Sequence, residues 1–504
     1  MSDRSLAPRW GRKLVACPLA GAALVLVAAA AVYAPILDDH FSSDDYQNLG
    51  LARQTPLSLA GLLQRSDVHL FPVARLLWEA EYALFRLDAS GYHSVSLALH
   101  LANTLLLWLL VRRLTRDDRW ALAAGIVFGL GASHWRTTMW ITTQAQLLAA
   151  FWLLAALLLW LAYLETGRRS LLVVAALAHL LMIFSFTTGI ELPVLLLLAV
   201  ALLGKSAPGA APRSRGVALS ILPFVAMSAF YLAARAAAMP ADTGLLARFG
   251  GWLGLVRAIP EAVRFMAGGL TFGYLRSLAG AYFRWHGPLP WLWWVQIGIL
   301  GLATLAAVVM ARSDLARNRR LLACCALWTV LLYLPAALGR LASGATFEFF
   351  VTRGRYLYLP ALPMALFVAV VGVETYRALG RSGRRVVQRL GLFAALFVAV
   401  MNVYDLRRRE AMVDASTHAF AIVEARFATD LERVLATTRG PVAVVERQVG
   451  GGEAAHYAGW NVTSRHLAMV HLEPRDLRRL AFVAADGARP AVVYEVIEGR
   501  LVPD

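Results

Sequence analysis

Four carboxylates fall within eight residues in the run Asp38-Asp39-His40-Phe41-Ser42-Ser43-Asp44-Asp45, directly after a long apolar segment. Ionisable groups at such an edge are costly beside hydrocarbon, so they are functional candidates when they face protein or water. The plainer alternative is that these Asp residues cap a helix end. Further polar groups recur along the chain at Arg75, His134-Trp135-Arg136, Glu191, and Arg353, Arg355 and Tyr356. A carboxylate in such a set can accept the proton of an attacking hydroxyl. Arginines can hold a departing phosphate bidentately and stabilise its charge. The chemistry this supports is glycosyl transfer from a lipid phosphate. Each residue also has a blander role: Arg136 and Arg353 could meet lipid headgroups, Trp135 and Trp140 read as interfacial belt aromatics, and His134 as a hydrogen-bonded interfacial residue. His93 and His100 sit inside an apolar segment, where packing is the better reading. No His pair has metal-ligand spacing, so no metal ligand is assigned, and a divalent metal ion stays open as a cofactor.

The elements that would position these residues are membrane helices. The chain of 504 residues is 59% hydrophobic and 16% charged, well below the roughly 25% charged residues of soluble domains. Apolar segments fall at 14–37, 92–111, 120–133, 144–164, 170–187, 190–204, 216–237, 289–311, 321–340, 356–376 and 390–405. They predict an all-α polytopic membrane protein with about eleven transmembrane helices. Between the fifth and sixth, Thr187-Thr188-Gly189-Ile190-Glu191-Leu192-Pro193 predicts a tight turn. The net charge of +17 comes from arginines in short connections between apolar runs. That pattern marks cytoplasmic loops and lipid headgroup contacts, and no nucleic-acid partner is expected. It puts the N-terminus in the cytoplasm and the connections 38–91, 132–143, 187–191, 238–288 and 341–355 outside, where the candidate residues gather. The moderately apolar stretch 261–283 is read as an interfacial or re-entrant helix in the outer loop. The first apolar segment lacks a cleavage site and is read as a retained span. Cys17, Cys324 and Cys325 form no disulfide or metal-thiolate pattern.

Two parts result: a transmembrane domain over 1–405 with large outer loops 38–91 and 238–288, and an extracytoplasmic α/β tail over 406–504. In the tail an amphipathic helix is expected over about 407–438, with β runs at Val442 to Val445, Leu467 to His471 and Ala491 to Ile497. Asn461-Val462-Thr463 matches the N-glycosylation pattern. No internal repeat is visible. A transporter or flippase would tend to show repeat symmetry and mid-membrane charges, so that alternative is the weaker one. A polymerase or ligase acting on a lipid-linked glycan would use similar loops.

The order of motifs resembles the GT-C superfamily of membrane glycosyltransferases, nearest to the protein O-mannosyltransferase-like branch and its bacterial relatives. The likeness is carried by the acidic pair after the first span, Arg86-Leu-Asp-Ala-Ser-Gly-Tyr-His93, and Ser133-His-Trp-Arg-Thr-Thr-Met-Trp-Ile141. It continues in Thr188-Gly-Ile-Glu-Leu-Pro193, Tyr231-Leu-Ala-Ala-Arg235 and Arg355-Tyr-Leu-Tyr-Leu-Pro360. It covers about residues 30–410. The resemblance implies an inverting transfer from a polyprenyl-phosphate sugar on the periplasmic side of a bacterial inner membrane, to an acceptor glycan, lipid or protein. It places the essential carboxylate on Asp44-Asp45, with Asp38-Asp39 as the other register, and Arg355 near the donor phosphate. The chain departs from the family pattern where Phe71-Pro72 replaces an Arg-Pro pair, where Gln144 and Gln146 replace an Arg and an Asp, where Thr187-Thr188 replaces a Lys-Glu pair, and where Gly354 replaces a Glu.

Overall fold

The computed structural model describes residues 18–54, 58–62, 70–203, 214–238, 245–283, 315–316, 318–344, 354–381, 383–438, 441–445, 462–483, 493–497 and 500–503. The expected span 289–311, Arg353 and Asn461 lie outside the described residues. Within them, six helices are long and apolar enough to cross a membrane: Leu19–Asp38, Ala89–Thr115, Ile141–Thr166, Gly216–Ala238, Arg319–Ala342 and Arg355–Arg381. Arg169–Ser185 and Thr187–Leu203 are shorter apolar helices. The chain is a multi-pass helical membrane protein.

Several expected spans take a different form. The segment 120–133 becomes the helix Asp118–Gly129 of 12 residues, about 18 Å long and short of a bilayer core of about 30 Å. The Gly129-Leu130-Gly131 sequence weakens helix at that point, and Trp135–Met139 forms a separate short helix. The turn at 187–193 is present as the 3-10 turn Thr187–Gly189 between two helices. The stretch 261–283 belongs to a 32-residue helix, Trp252–Phe283. The last expected span is part of one 53-residue helix, Arg385–Thr437, about 80 Å long. It contains no proline and starts after Gly383, which has φ of 69°. The boundary placed at 405/406 therefore falls inside a continuous helix.

Lipid supplies no hydrophobic force between helices, so they associate through close packing and buried polar ties. Gly129 shows the first: a Cβ there would lie 2.9 Å from Thr104 Cγ2 and 3.6 Å from the Ala29 side chain. At the arginine-rich ends, Trp120 Nε1 donates to Glu374 (3.2 Å) and Arg377 joins Glu374 to Asp117. Deeper in the bundle, His100 bridges the Tyr358 hydroxyl (3.0 Å) and the Gly129 carbonyl (3.1 Å). The packing role expected of His100 is the one observed.

The C-terminal part contains a four-stranded sheet in the order β2-β1-β3-β4, with β1 Val442–Val445, β2 Leu480–Val483, β3 Val493–Ile497 and β4 Arg500–Pro503. The apolar β1 pairs in parallel with β2 and β3, and β4 is antiparallel to β3. Leu467 to His471, expected as strand, is helical within Ser464–His471. Thr463 caps that helix by accepting from His466 N, and the His466 ring accepts from Thr463 N. A local capping box outweighs the β-rich composition there. This part does not stand apart from the membrane domain. Phe41, Tyr46, Leu49 and Tyr92 share one buried core with Phe420, Phe427, Leu431, Val442 and Leu467.

Candidate active site

The acidic run is shaped by three successive turns. The 3-10 turn Ala34–Asp38 ends the first span, Asp39 is extended, and Ser43 takes φ of 54° before the helix Asp45–Gln54 begins. A left-handed backbone is uncommon for a serine and marks local strain. It gives the adjacent carboxylates Asp44 and Asp45 different surroundings. Asp45 is buried. Its Oδ1 accepts from Thr142 N (2.7 Å) and Thr142 Oγ1 (2.6 Å), and its Oδ2 accepts from Ser42 N (3.0 Å). Burial pushes its carboxyl up to about 7, with those hydrogen bonds opposing. Asp44 is half-buried, and its one side-chain hydrogen bond is a long one from Ser43 Oγ (3.5 Å).

Facing the loop is a set of arginines gathered around Trp140. The Trp140 indole N–H donates to the Ser42 carbonyl (3.2 Å), two residues before Asp44. Arg136 lies 4.8 Å and Arg355 4.7 Å from the centroid of the same indole ring. Arg355 also lies over the Tyr356 ring and donates to its hydroxyl (2.7 Å). Arg340, at the end of its helix, lies 5.0 Å from the Tyr356 centroid and within electrostatic reach of Arg355 and Asp44. Arg355 is positioned by Gly354, with φ of 66°, and by Thr137 Oγ1 donating to its carbonyl (3.0 Å). The buried Arg355 Nε has no hydrogen-bond acceptor, and among the described residues Arg355 pairs with no carboxylate. Three like charges held this close repel one another, and an anion received among them relieves that repulsion.

The structure thus gathers Arg136, Arg355 and Tyr356 around Trp140, adds Arg340, and sets Asp44 within electrostatic reach of Arg340. In place of the belt position expected of it, Trp140 is buried, and its ring serves two guanidinium groups. Arg340, absent from the sequence-derived candidates, did carry a signal, since it is an arginine near the end of the apolar helix Arg319–Ala342 away from the arginines at its start. The other candidates lie elsewhere. Arg75 pairs with Glu79 (3.6 Å) and lines a pocket with Asn48, Phe71 and Trp78. His134 packs its ring against Phe128 (4.9 Å), Tyr358 (5.1 Å) and His100 (5.7 Å). Glu191 sits at the turn before Leu192–Leu203, with a buried Oε2 that no hydrogen bond reaches. Asp39 closes the 3-10 turn through its backbone N–H, which donates to the Ile36 carbonyl (3.1 Å), while both its carboxylate oxygens are buried with no hydrogen-bond partner among the described residues. Burial, with Glu410, Asp414 and Asp38 nearby, pushes its carboxyl up to about 8. Among the described residues, no three His, Cys, Asp or Glu side chains are grouped to hold a metal ion.

Behind the site a second polar layer ties the loop to the helices. Gln144 donates to Glu81 Oε1 (2.8 Å) and to the Tyr92 carbonyl (2.9 Å). Burial raises the Glu81 carboxyl to about 8, with the Gln144 hydrogen bond opposing and Asp45 adding to the rise. Glu424, on the 53-residue helix, accepts from the Tyr46 hydroxyl (2.5 Å) and pairs with His471 (2.8 Å) and His40 (3.6 Å).

The fold and site define a multi-pass helical membrane protein with a carboxylate and an arginine cluster at one end of its bundle. No protein-family model matches the chain, and no curated protein matches it. Among solved structures, it is similar to the archaeal oligosaccharyltransferase AglB from Archaeoglobus fulgidus in complex with an inhibitory peptide and a dolichol-phosphate (13% identity, TM-score 0.48, covering 89% of this chain and 63% of that one). The apo form of the Archaeoglobus fulgidus oligosaccharyltransferase gives a TM-score of 0.49 at 13% identity, covering 89% and 64%. ArnT from Cupriavidus metallidurans bound to undecaprenyl phosphate gives 0.38 at 14% identity, covering 94% and 92%. The chain thus spans less than two thirds of the length of the archaeal enzyme.

Proposed function

We propose that this chain is a GT-C-type membrane glycosyltransferase that moves a sugar from a polyprenyl-phosphate donor to an acceptor hydroxyl on the outer side of the membrane. The observation that carries the reading is the cluster of Arg136, Arg340 and Arg355 around Trp140 and Tyr356, with half-buried Asp44 within electrostatic reach of Arg340. Asp44 takes the proton of the acceptor hydroxyl as its oxygen forms the new bond to the anomeric carbon. The bond from that carbon to the phosphate oxygen breaks, its electron pair stays on the phosphate, and the configuration inverts. The arginines bind the phosphate and stabilise the charge that grows on it. Arg355 offers the buried, unsatisfied Nε for this purpose. Asp45 is the positioning residue, since its lone pairs are committed to Thr142 and Ser42. The placement of arginines in the opposite loops supports an outward-facing site, with the N-terminus cytoplasmic and the C-terminus periplasmic. Charges collected at one end of the bundle support an enzyme over a transporter.

The test is transfer by purified protein reconstituted in bilayers with a panel of polyprenyl-phosphate sugars. Asp44→Asn is expected to lower transfer by about 10²–10⁴-fold. Asp45→Asn is expected to keep transfer within about tenfold of wild type while lowering stability by about 1–2 kcal/mol. Full transfer by Asp44→Asn removes the assignment of the base.

A further inference from the structure

We infer that a cavity at the arginine-rich end of the bundle takes one acyl chain of an anionic phospholipid from the membrane leaflet that meets that end. The cavity lies among the helices Ala89–Thr115, Ile141–Thr166, Leu192–Leu203, Arg319–Ala342 and Arg355–Arg381. Its volume is about 90 Å³, against the roughly 10–15 Å³ that one water needs, so several chain carbons fit. Its lining runs from Leu107 to Leu114 and from Leu321 to Leu332, rises of about 10 and 16 Å along those helices. That elongated form suits a chain. The lining side chains are aliphatic, aromatic or thiol. The two indole N–H groups among them, on Trp160 and Trp328, already donate to Ser220 Oγ (3.0 Å) and the Leu195 carbonyl (3.0 Å). Water there would find no hydrogen-bond partner among the described residues, whereas a hydrocarbon chain gains the dispersion contacts of close packing.

Exposure grades along the cavity and locates its mouth. Leu107, Leu153, Leu196, Leu332 and Leu362 are buried, Leu161, Leu203 and Leu321 are half-buried, and Leu114 is exposed. The mouth is therefore at the arginine-rich end. Arg116 follows Leu114 by two residues and Arg319 precedes Leu321 by two; both are exposed, and neither side chain hydrogen-bonds within the described residues. Their neighbours Arg112 and Arg113 are instead paired with Asp118 and Glu165. Positive charge at headgroup level beside an apolar opening matches a phosphate on guanidinium with a chain below it. A neutral lipid satisfies only the cavity, and a free anion only the arginines. On the opposite side the buried Tyr358, Leu359 and Leu362 close the cavity off from Arg355, so it is not continuous with the proposed donor site. The inference does not rest on the glycosyltransferase reading.

The experiment photolyses the delipidated full chain in detergent with a phosphatidylglycerol that carries a diazirine within one acyl chain, and maps the adducts by peptide mass spectrometry. Adducts are expected on the segments 107–114, 153–161 and 321–332. Unlabelled phosphatidylglycerol is expected to compete about thirtyfold better than phosphatidylcholine, and Arg116→Gln and Arg319→Gln are each expected to weaken it about fivefold. Ala199→Trp, which fills the cavity from its lining, is expected to remove the adducts. The two arginine variants lie on the surface, so their result stands even if Ala199→Trp loses its fold. Adducts confined to other segments, equal competition by the two phospholipids, or undiminished adducts in a folded Ala199→Trp variant overturn the inference. Competition by polyprenyl phosphate ahead of phosphatidylglycerol also overturns it, and gives the cavity to a prenyl chain.

Discussion

Asp44 and Asp45 are adjacent in sequence and opposite in circumstance. Asp45 spends its oxygens on Thr142 and Ser42, so it joins the acidic run to the turn that carries Trp140. Asp44 takes only a long hydrogen bond from Ser43 Oγ (3.5 Å) among the described residues, and the left-handed Ser43 gives the two carboxylates different surroundings. Trp140 is the second decisive residue, because one ring serves Arg136 and Arg355 while its N–H holds the Ser42 carbonyl. Cation–π contacts of this kind contribute about 0.5–2 kcal/mol each. Trp140→Leu, which removes both contacts and the hydrogen bond, is expected to reduce transfer by about 10²-fold. Trp140→Phe, which keeps an aromatic face, should cost about tenfold or less. Steady-state kinetics on the reconstituted enzyme separates the two, with the Leu variant raising KM for the donor. Equal activity of both variants with wild type would remove Trp140 from the site.

Among the elements, the helix Asp45–Gln54 is held from two sides. The membrane bundle grips it through Thr142 and Asn48. The C-terminal part grips it through Tyr46, Arg53 and Gln54, with Gln54 Nε2 donating to the carbonyls of Met469 and Leu472 (2.7 Å each) and Arg53 to that of Val470 (2.6 Å). Glu424 is the centre of the second grip. Its removal in Glu424→Ala leaves the buried Tyr46 hydroxyl and His471 without their shared acceptor, a cost of about 2–3 kcal/mol. Hydrogen exchange over 45–54 and 464–471 is expected to quicken together in that variant. Unchanged exchange over 45–54 would show that the bundle alone positions the helix. The shared core of Phe41, Tyr46, Phe420 and Phe427 explains why the two segments should respond as one.

At the scale of the whole molecule, several buried carboxylates are protonated above their ordinary range. Asp39 and Glu81 rise to about 8 and Asp45 to about 7, chiefly through burial. An unfolded carboxyl titrates near 4, so between those values the folded chain holds more protons than the unfolded one. The resulting stability is fully present below about pH 4 and is lost as pH rises through 7 to 8. The half-buried His40 is shifted below its ordinary value by desolvation, which opposes this trend only up to about pH 6.5. The unfolding free energy is therefore expected to fall between pH 6.5 and 9, by at most about 1.4 kcal/mol per group per pH unit, and the melting temperature with it. Asp39→Asn should flatten that fall, because an amide needs no proton to stay neutral beside Asp38, Glu410 and Asp414. A pH profile that is identical in wild type and Asp39→Asn would contradict the protonation of Asp39.

By itself the amino-acid sequence determined the membrane class, since runs of about twenty apolar residues have few other homes. It also determined which loops are dense in arginine, where the chain turns at 187–193, and that the acidic run and the Arg355 motif are the unusual polar features. These properties are local in the chain, so composition and spacing disclose them. Only the tertiary structure decided the rest. Whether Asp44 or Asp45 is available depends on Thr142, 97 residues away. Whether Trp140 meets lipid or guanidinium depends on Arg355, brought from a distant helix. That Leu467 to His471 is helical follows from one capping box, and that the last apolar run continues into a 53-residue helix follows from the core it shares with Phe41, Tyr46 and Leu49. A side chain's type sets what chemistry it can do, but its partners set whether that chemistry is free to occur, and partners drawn from remote parts of the chain exist only once it has folded.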